Sequence, residues 1–166
     1  MSKNSKSQAI WRVLSLAGAV AGTVALSATS ASAGSCPADQ VVPAGKGQPM
    51  GATAPEGVTD MVLGSIPLAN EIDGMDGRNL RTRLLEIQPG GVVPWHSHQD
   101  RPALIYVLRG TITEYSDACA VPIEHTIGTI SIESKGLSHW WKNNSDGVVR
   151  LLSSDIQHDQ MDADTM

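Results

Sequence analysis

The chain has 166 residues, 12 of them basic and 17 acidic, for a formal net charge of −5, and 41% of it is apolar. That is length enough for one domain and too little for two once a leader is subtracted. The acidic balance, with no basic stripe to reverse it locally, excludes nucleic acid and anionic membrane surfaces as partners, because both would repel the protein.

The first predicted element is a leader over residues 1–33. Lys3, Lys6 and Arg12 precede an almost wholly apolar run from Val13 to Leu26, and small residues then end in Ala31-Ser32-Ala33. This order is that of a secretory signal peptide with its cleavage site. A permanent span would need about 20 apolar residues, more than the run offers, so no stable membrane insertion is expected after removal. Cleavage would take three positive charges and no negative ones, leaving nine basic and 17 acidic residues and a net charge of −8. A secreted or periplasmic location follows. In such a compartment Cys36 and Cys119 are expected to form a disulfide.

Residues 34–57 are rich in Gly, Pro and Ala, with Pro37, Pro43, Pro49 and Pro55 six apart. Such a segment forms neither helix nor regular sheet and should wrap around the domain or stay mobile. The domain proper is read over 58–155, with strands at 61–66, 80–88, 103–108, 111–115, 123–127, 128–132, 138–142 and 148–153. Turn residues stand between them, among them Pro89-Gly90-Gly91, Arg109-Gly110 and Ser134-Lys135-Gly136. Many short strands at close spacing predict an all-β sandwich or barrel. In the second run Arg81, Arg83, Leu85 and Ile87 share one face, which suits a barrel whose inner wall carries a polar site. Residues 156–166 are polar and acidic and read as a frayed tail.

The chemistry is concentrated in two stretches. The first runs from Gly90 through Trp95-His96-Ser97-His98 to Gly110. Histidines at i and i+2 on an extended segment present both imidazoles on one face, within reach of one metal ion. The second runs from Gly128 through Gly136 and His139 to Asn143, a strand, a turn and a strand that brings a third histidine. Together these resemble the two motifs of the cupin superfamily, a match that covers about 55 residues. Gly90, His96, His98 and Gly110 fit the first motif. Gly128, Gly136, His139 and Asn143 fit the second. The resemblance implies a single jelly-roll (cupin) β-barrel with a divalent metal on His96, His98 and His139.

The sequence departs from the family in two places. Ala103 stands where the first motif has its metal-binding glutamate, and Ser134 replaces a turn proline of the second. The first departure predicts a three-imidazole site with an open position beside the metal. Asp100, Arg101 and Glu114 lie nearby in sequence without the family spacing, and His125 reads as a surface or outer-shell histidine. His158 reads as solvated. Trp95, Tyr106 and Trp140 flank the histidines, either as barrel packing or as an apolar pocket wall.

Imidazole suits Fe, Mn, Zn, Ni and Cu alike, so the metal is not fixed by these residues. Three readings remain: a mononuclear metalloenzyme with dioxygenase-like or Lewis-acid chemistry on a small molecule, a non-catalytic metal- or ligand-binding barrel of the envelope, and a fold that has lost its metal. A small-molecule ligand is common to the first two, and a homodimer is compatible with all three.

Overall fold

The structure, a computed structural model, describes residues 34–159. The expected signal peptide at 1–33 lies outside the described residues, as does the end of the acidic segment from 160 on. Eight strands make up the fold: β1 (Glu56–Pro67), β2 (Arg78–Ser97), β3 (Ala103–Arg109), β4 (Thr111–Ser116), β5 (Ile123–Thr126), β6 (Ile130–Glu133), β7 (Ser138–Lys142) and β8 (Val149–His158). They form one antiparallel sheet in the order β5-β4-β7-β2-β8-β3-β6, with β1 on the other side of β2, curled into a nearly closed barrel. The expected all-β jelly-roll barrel is what the chain builds.

Two elements differ from the sequence reading. Pro89-Gly90-Gly91 does not end a strand; it bends one. Before the bend β2 pairs with β8, as in Ile87 opposite Val149, and after it β2 pairs with β7, as in Val92 opposite Lys142. Gly90 takes a positive φ of 78° there, a conformation that only glycine adopts without strain. The second difference is at the C-terminal end. Ile156, Gln157 and His158 were expected in a frayed tail but continue β8, opposite Leu80, Asn79 and Arg78. They do not fray because β2 pairs with them residue for residue and Gln157 turns inward.

Alternation decides what faces inward. Burial along β8 follows every second residue from Val149 to Gln157, and along β7 it selects His139 and Trp141. The apolar interior is formed by Ile87, Val107, Ile112, Trp141, Val149 and Leu151. The N-terminal segment lies along the 116–120 loop through backbone hydrogen bonds from Gly47 to Asp117 and from Gln48 to Ser116. Its only regular pairing among the described residues is the bridge of Val41 to Cys119. The disulfide Cys36–Cys119 fastens it, with Cα atoms 5.8 Å apart.

Candidate metal centre

At one end of the interior two strands and the loop after the first aim side chains at a common point. His96 comes from the end of β2, His98 from just beyond it, and His139 from β7, where it lies directly opposite His96. The His139 Nε2 atom is 3.1 Å from Nε2 of both His98 and His96. Each ring is turned by what its other nitrogen does. Nδ1 of His96 donates to the Pro94 carbonyl at 2.8 Å, Nδ1 of His98 to the Arg101 carbonyl at 2.7 Å, and Nδ1 of His139 to Glu114 Oε1 at 2.6 Å. All three partners can only accept, so each Nδ1 carries a hydrogen, and the neutral rings point three lone pairs at one another. Such an arrangement could hold a cation at its centre.

The structure corrects the expectation of a site without a carboxylate. Glu133, at the end of β6, sits with Oε2 3.0 Å from His98 Nε2 and Oε1 3.4 Å from His139 Nε2. Its Oε1 is buried and accepts no hydrogen bond. The four ligand atoms of His96, His98, Glu133 and His139 lie within 4.8 Å of one another and could hold a metal ion. Glu133 is the cross-strand partner of Ala103. The adjacent strand therefore brings to the histidines a carboxylate that β3 lacks, and Ala103 still lines a cavity beside them. Nothing local in the sequence marks Glu133, because its role depends on the β3–β6 register.

Burial, the largest influence on His96, lowers its pKa well below the usual 6.5, and the neighbouring His139 lowers it further. For His139 burial also acts downward, but Glu133 and Glu114 together outweigh it and raise the pKa. The two carboxylates thus bias His139 toward taking up a proton. Glu114 is itself buried, which would raise its pKa. Hydrogen bonds from His125 and His139 overcome that and bring it down to about 2. His125 donates to Glu114 Oε2 at 2.8 Å and is 1% exposed, so it stands behind the ligands rather than among them or on the surface. Asp100 pairs with Arg78 at the rim. His158 is half-buried on β8 rather than free in solvent.

The apolar pocket wall is made by other residues than those flanking the histidines. Trp140 turns outward and stacks on Tyr115, with ring centroids 4.2 Å apart, while Tyr106 is exposed on the outer face. A cavity of about 30 Å³ adjoins His96, His98 and Glu133, walled by Leu85, Val93, Ala103, Ile105, Trp141 and Leu151. Trp141 is its aromatic member. Arg83, Arg101 and Asp155, none of them singled out for this role from sequence, complete the lining.

Comparison with known proteins places this geometry. Residues 83–155 match the family model described as Cupin domain. The chain is 30% identical over 113 residues to Germin-like protein subfamily 3 member 1 of Arabidopsis thaliana, covering 63% of this chain and 54% of that protein. It is 27% identical over 109 residues to Germin-like protein 5-1 of Oryza sativa subsp. japonica, covering 61% and 48%. The chain thus spans about half the length of the curated relatives it matches. Among solved structures, a predicted oxalate decarboxylase from Thermotoga maritima superposes with a TM-score of 0.51 at 16% identity, over 74% of this chain and 97% of that one. That likeness concerns the fold. Residues 83–155 thus resemble a cupin domain in motif and family match, and the barrel is a fold of that kind.

Proposed function

We propose that the protein is an exported single-barrel metalloenzyme that binds one divalent ion through His96, His98, His139 and Glu133 and acts on a small molecule. The observation that carries the reading is the tautomer argument: three Nδ1–H groups fixed by acceptors leave three Nε2 lone pairs converging beside an unpartnered carboxylate oxygen. Glu114 orients His139 and raises its basicity, and His125 holds Glu114 in turn, the outer-shell support that metal-bound histidines usually have. Fe, Mn, Zn, Ni or Cu is compatible with the donors, the carboxylate favouring the harder ions. A divalent ion held by four protein atoms would supply Lewis acidity, or redox chemistry if it is iron, manganese or copper, at positions left for oxygen or a substrate. The disulfide, buried at Cys119, suits the oxidising compartment that the leader implies.

Elemental analysis of the purified protein should find about one divalent ion per chain. His96→Ala/His98→Ala/His139→Ala should retain none, and a stoichiometric ion in that variant would overturn the assignment. An oxygen-uptake and small-molecule turnover screen then separates an enzyme from a binding barrel, since full metal loading with no turnover leaves the second.

A homodimer is the assembly we propose. The outer face of β3 and β6 exposes Leu104, Tyr106, Leu108, Ile130 and Ile132, and Leu80 lies on the same face of β2. No charge interrupts these positions; Glu86 and Arg150, at one end, neutralise each other at 2.6 Å. Two copies of an acidic protein repel least across such a face, and an isologous contact would bury it twice. Sedimentation at micromolar concentration should give the dimer mass, and Ile132→Glu should give the monomer.

A further inference from the structure

Three arginines project into the metal-bearing end of the barrel: Arg81, Arg83 and Arg101, all at most 8% exposed. Two of them hold carboxylates directly, although Arg83 Nε, also buried, makes no hydrogen bond. Arg81 donates to both oxygens of Asp155, at 3.1 and 3.0 Å. Arg83 donates to Asp60, to Ser153 and, at 3.3 Å, to Asp155 Oδ2. These contacts use up Asp155, so Arg101 is left 3.9 Å from it, with a buried Nη1 that makes no hydrogen bond. Arg101 lines the same cavity as His96, His98 and Glu133. A buried guanidinium without its full set of acceptors is unfavourable unless a ligand completes it.

The charge balance says which ligand. With a divalent ion bound and the histidines neutral, the three arginines and the ion are opposed by Asp60, Asp155, Glu133 and Glu114. The positive side exceeds the negative by one unit. Burial and the neighbouring Arg83 press against the Arg101 charge, so an anion beside it would be doubly welcome. The cavity of about 30 Å³ takes roughly two water-sized groups. Beside the polar groups of Arg83, Ser153 and Asp155, its walls are aliphatic or aromatic, with only the Ala103 methyl group where a longer side chain would close it.

We infer that Arg101 and the metal together form a site for a short monocarboxylate, with Arg101 as the residue that recognises its carboxylate and the apolar wall receiving its small carbon chain. This rests on the metal site proposed above and names the substrate class for it. A fork of guanidinium hydrogens matches a carboxylate in shape as well as charge, which chloride or a neutral amide does not.

The test uses the full protein loaded with cobalt(II), with acetate as the probe and acetamide and chloride as controls. Binding is read by the cobalt absorption spectrum and by calorimetry, independently of any turnover. Acetate should bind, and acetamide and chloride should bind more weakly by roughly tenfold or more. Arg101→Gln keeps the backbone carbonyl that orients His98, so cobalt stoichiometry should hold while acetate binding falls roughly 10- to 100-fold. Arg101→Lys, which keeps the charge, should recover part of the loss and serves if the glutamine variant does not fold. Acetate bound no better than acetamide or chloride, or bound equally by wild type and Arg101→Gln, would overturn the inference while leaving the metal site standing. Should the protein take up no cobalt, the metal reading falls by itself. Acetate binding to the metal-free protein, read by line broadening of labelled acetate, then decides: dependence on Arg101 supports the inference, and its absence overturns it.

Discussion

The interior of the barrel has two ends, and the same strands build both. On β2 the inward residues change from Ile87 and Leu85 to Arg83 and Arg81, and on β8 from Val149 and Leu151 to Ser153 and Asp155. The register pairs like with like: Ile87 faces Val149 and Leu85 faces Leu151, whereas Arg83 faces Ser153 and Arg81 faces Asp155. One end is a dry apolar plug. The other is a buried lattice of arginines, carboxylates and histidines. The division assigns stability to the first and ligand chemistry to the second, because apolar burial drives folding and buried charges at best break even.

The largest effect should come from the strap outside both ends. The Cys36–Cys119 bond closes a loop with a sequence separation of 83. Replacing both cysteines by serine should cost about 4–5 kcal/mol on the chain-entropy model, read as a lowered denaturation midpoint that affects both ends alike. Next is the apolar end. Ile87→Ala, at a fully buried position, should destabilise by about 2–5 kcal/mol while the folded fraction still binds metal. A loss of metal at full stability would break the division of labour.

The charged end should respond the other way. Glu133→Gln should weaken metal binding by about tenfold or more, measured by chelator competition, with a smaller change in stability of the metal-free protein. Ala103→Glu alone would set a second carboxylate beside Glu133, against like charge. Combined with Glu133→Ala it should return the carboxylate to β3 and restore binding. If the double variant binds no better than Glu133→Ala, Glu133 is not standing in for the missing residue.

The smallest and most diagnostic effect is on pH dependence. His139, raised in the fold, contributes stability below its unfolded value of 6.5 that is lost as pH rises through its folded pKa. His96, lowered in the fold, contributes stability above 6.5 that is lost as pH falls through its folded pKa. The two oppose each other, so the metal-free protein should be most stable near pH 6.5. Metal stabilisation should instead weaken steadily with acid, because protons compete with the ion for the His139 lone pair. Glu114, depressed from 4.5 to about 2, adds stability at higher pH that disappears as pH falls through that range. Melting curves with and without chelator at several pH values would check both slopes, and parallel slopes would sink the proton-competition picture.

Much of this protein was written locally. The alternation of β2, the spacing of His96 and His98, and the glycine-bounded arrival of His139 on β7 all rest on side-chain period and turn chemistry, which neighbours in sequence control. Tertiary structure decided what depends on register between strands distant in sequence. Glu133 enters the candidate metal site only because β6 lies antiparallel to β3 with Glu133 opposite Ala103. Arg101 is left short of a partner only because β2 and β8 bring Arg81 and Arg83 to Asp155 first. Pro89-Gly90-Gly91, a stop by composition, became a bend because strands wait on both sides of it to pair with β2. A residue's neighbours along the chain set where its side chain points, while the pairing of strands sets what it meets, and the charge and ligand chemistry of this site is made of such meetings.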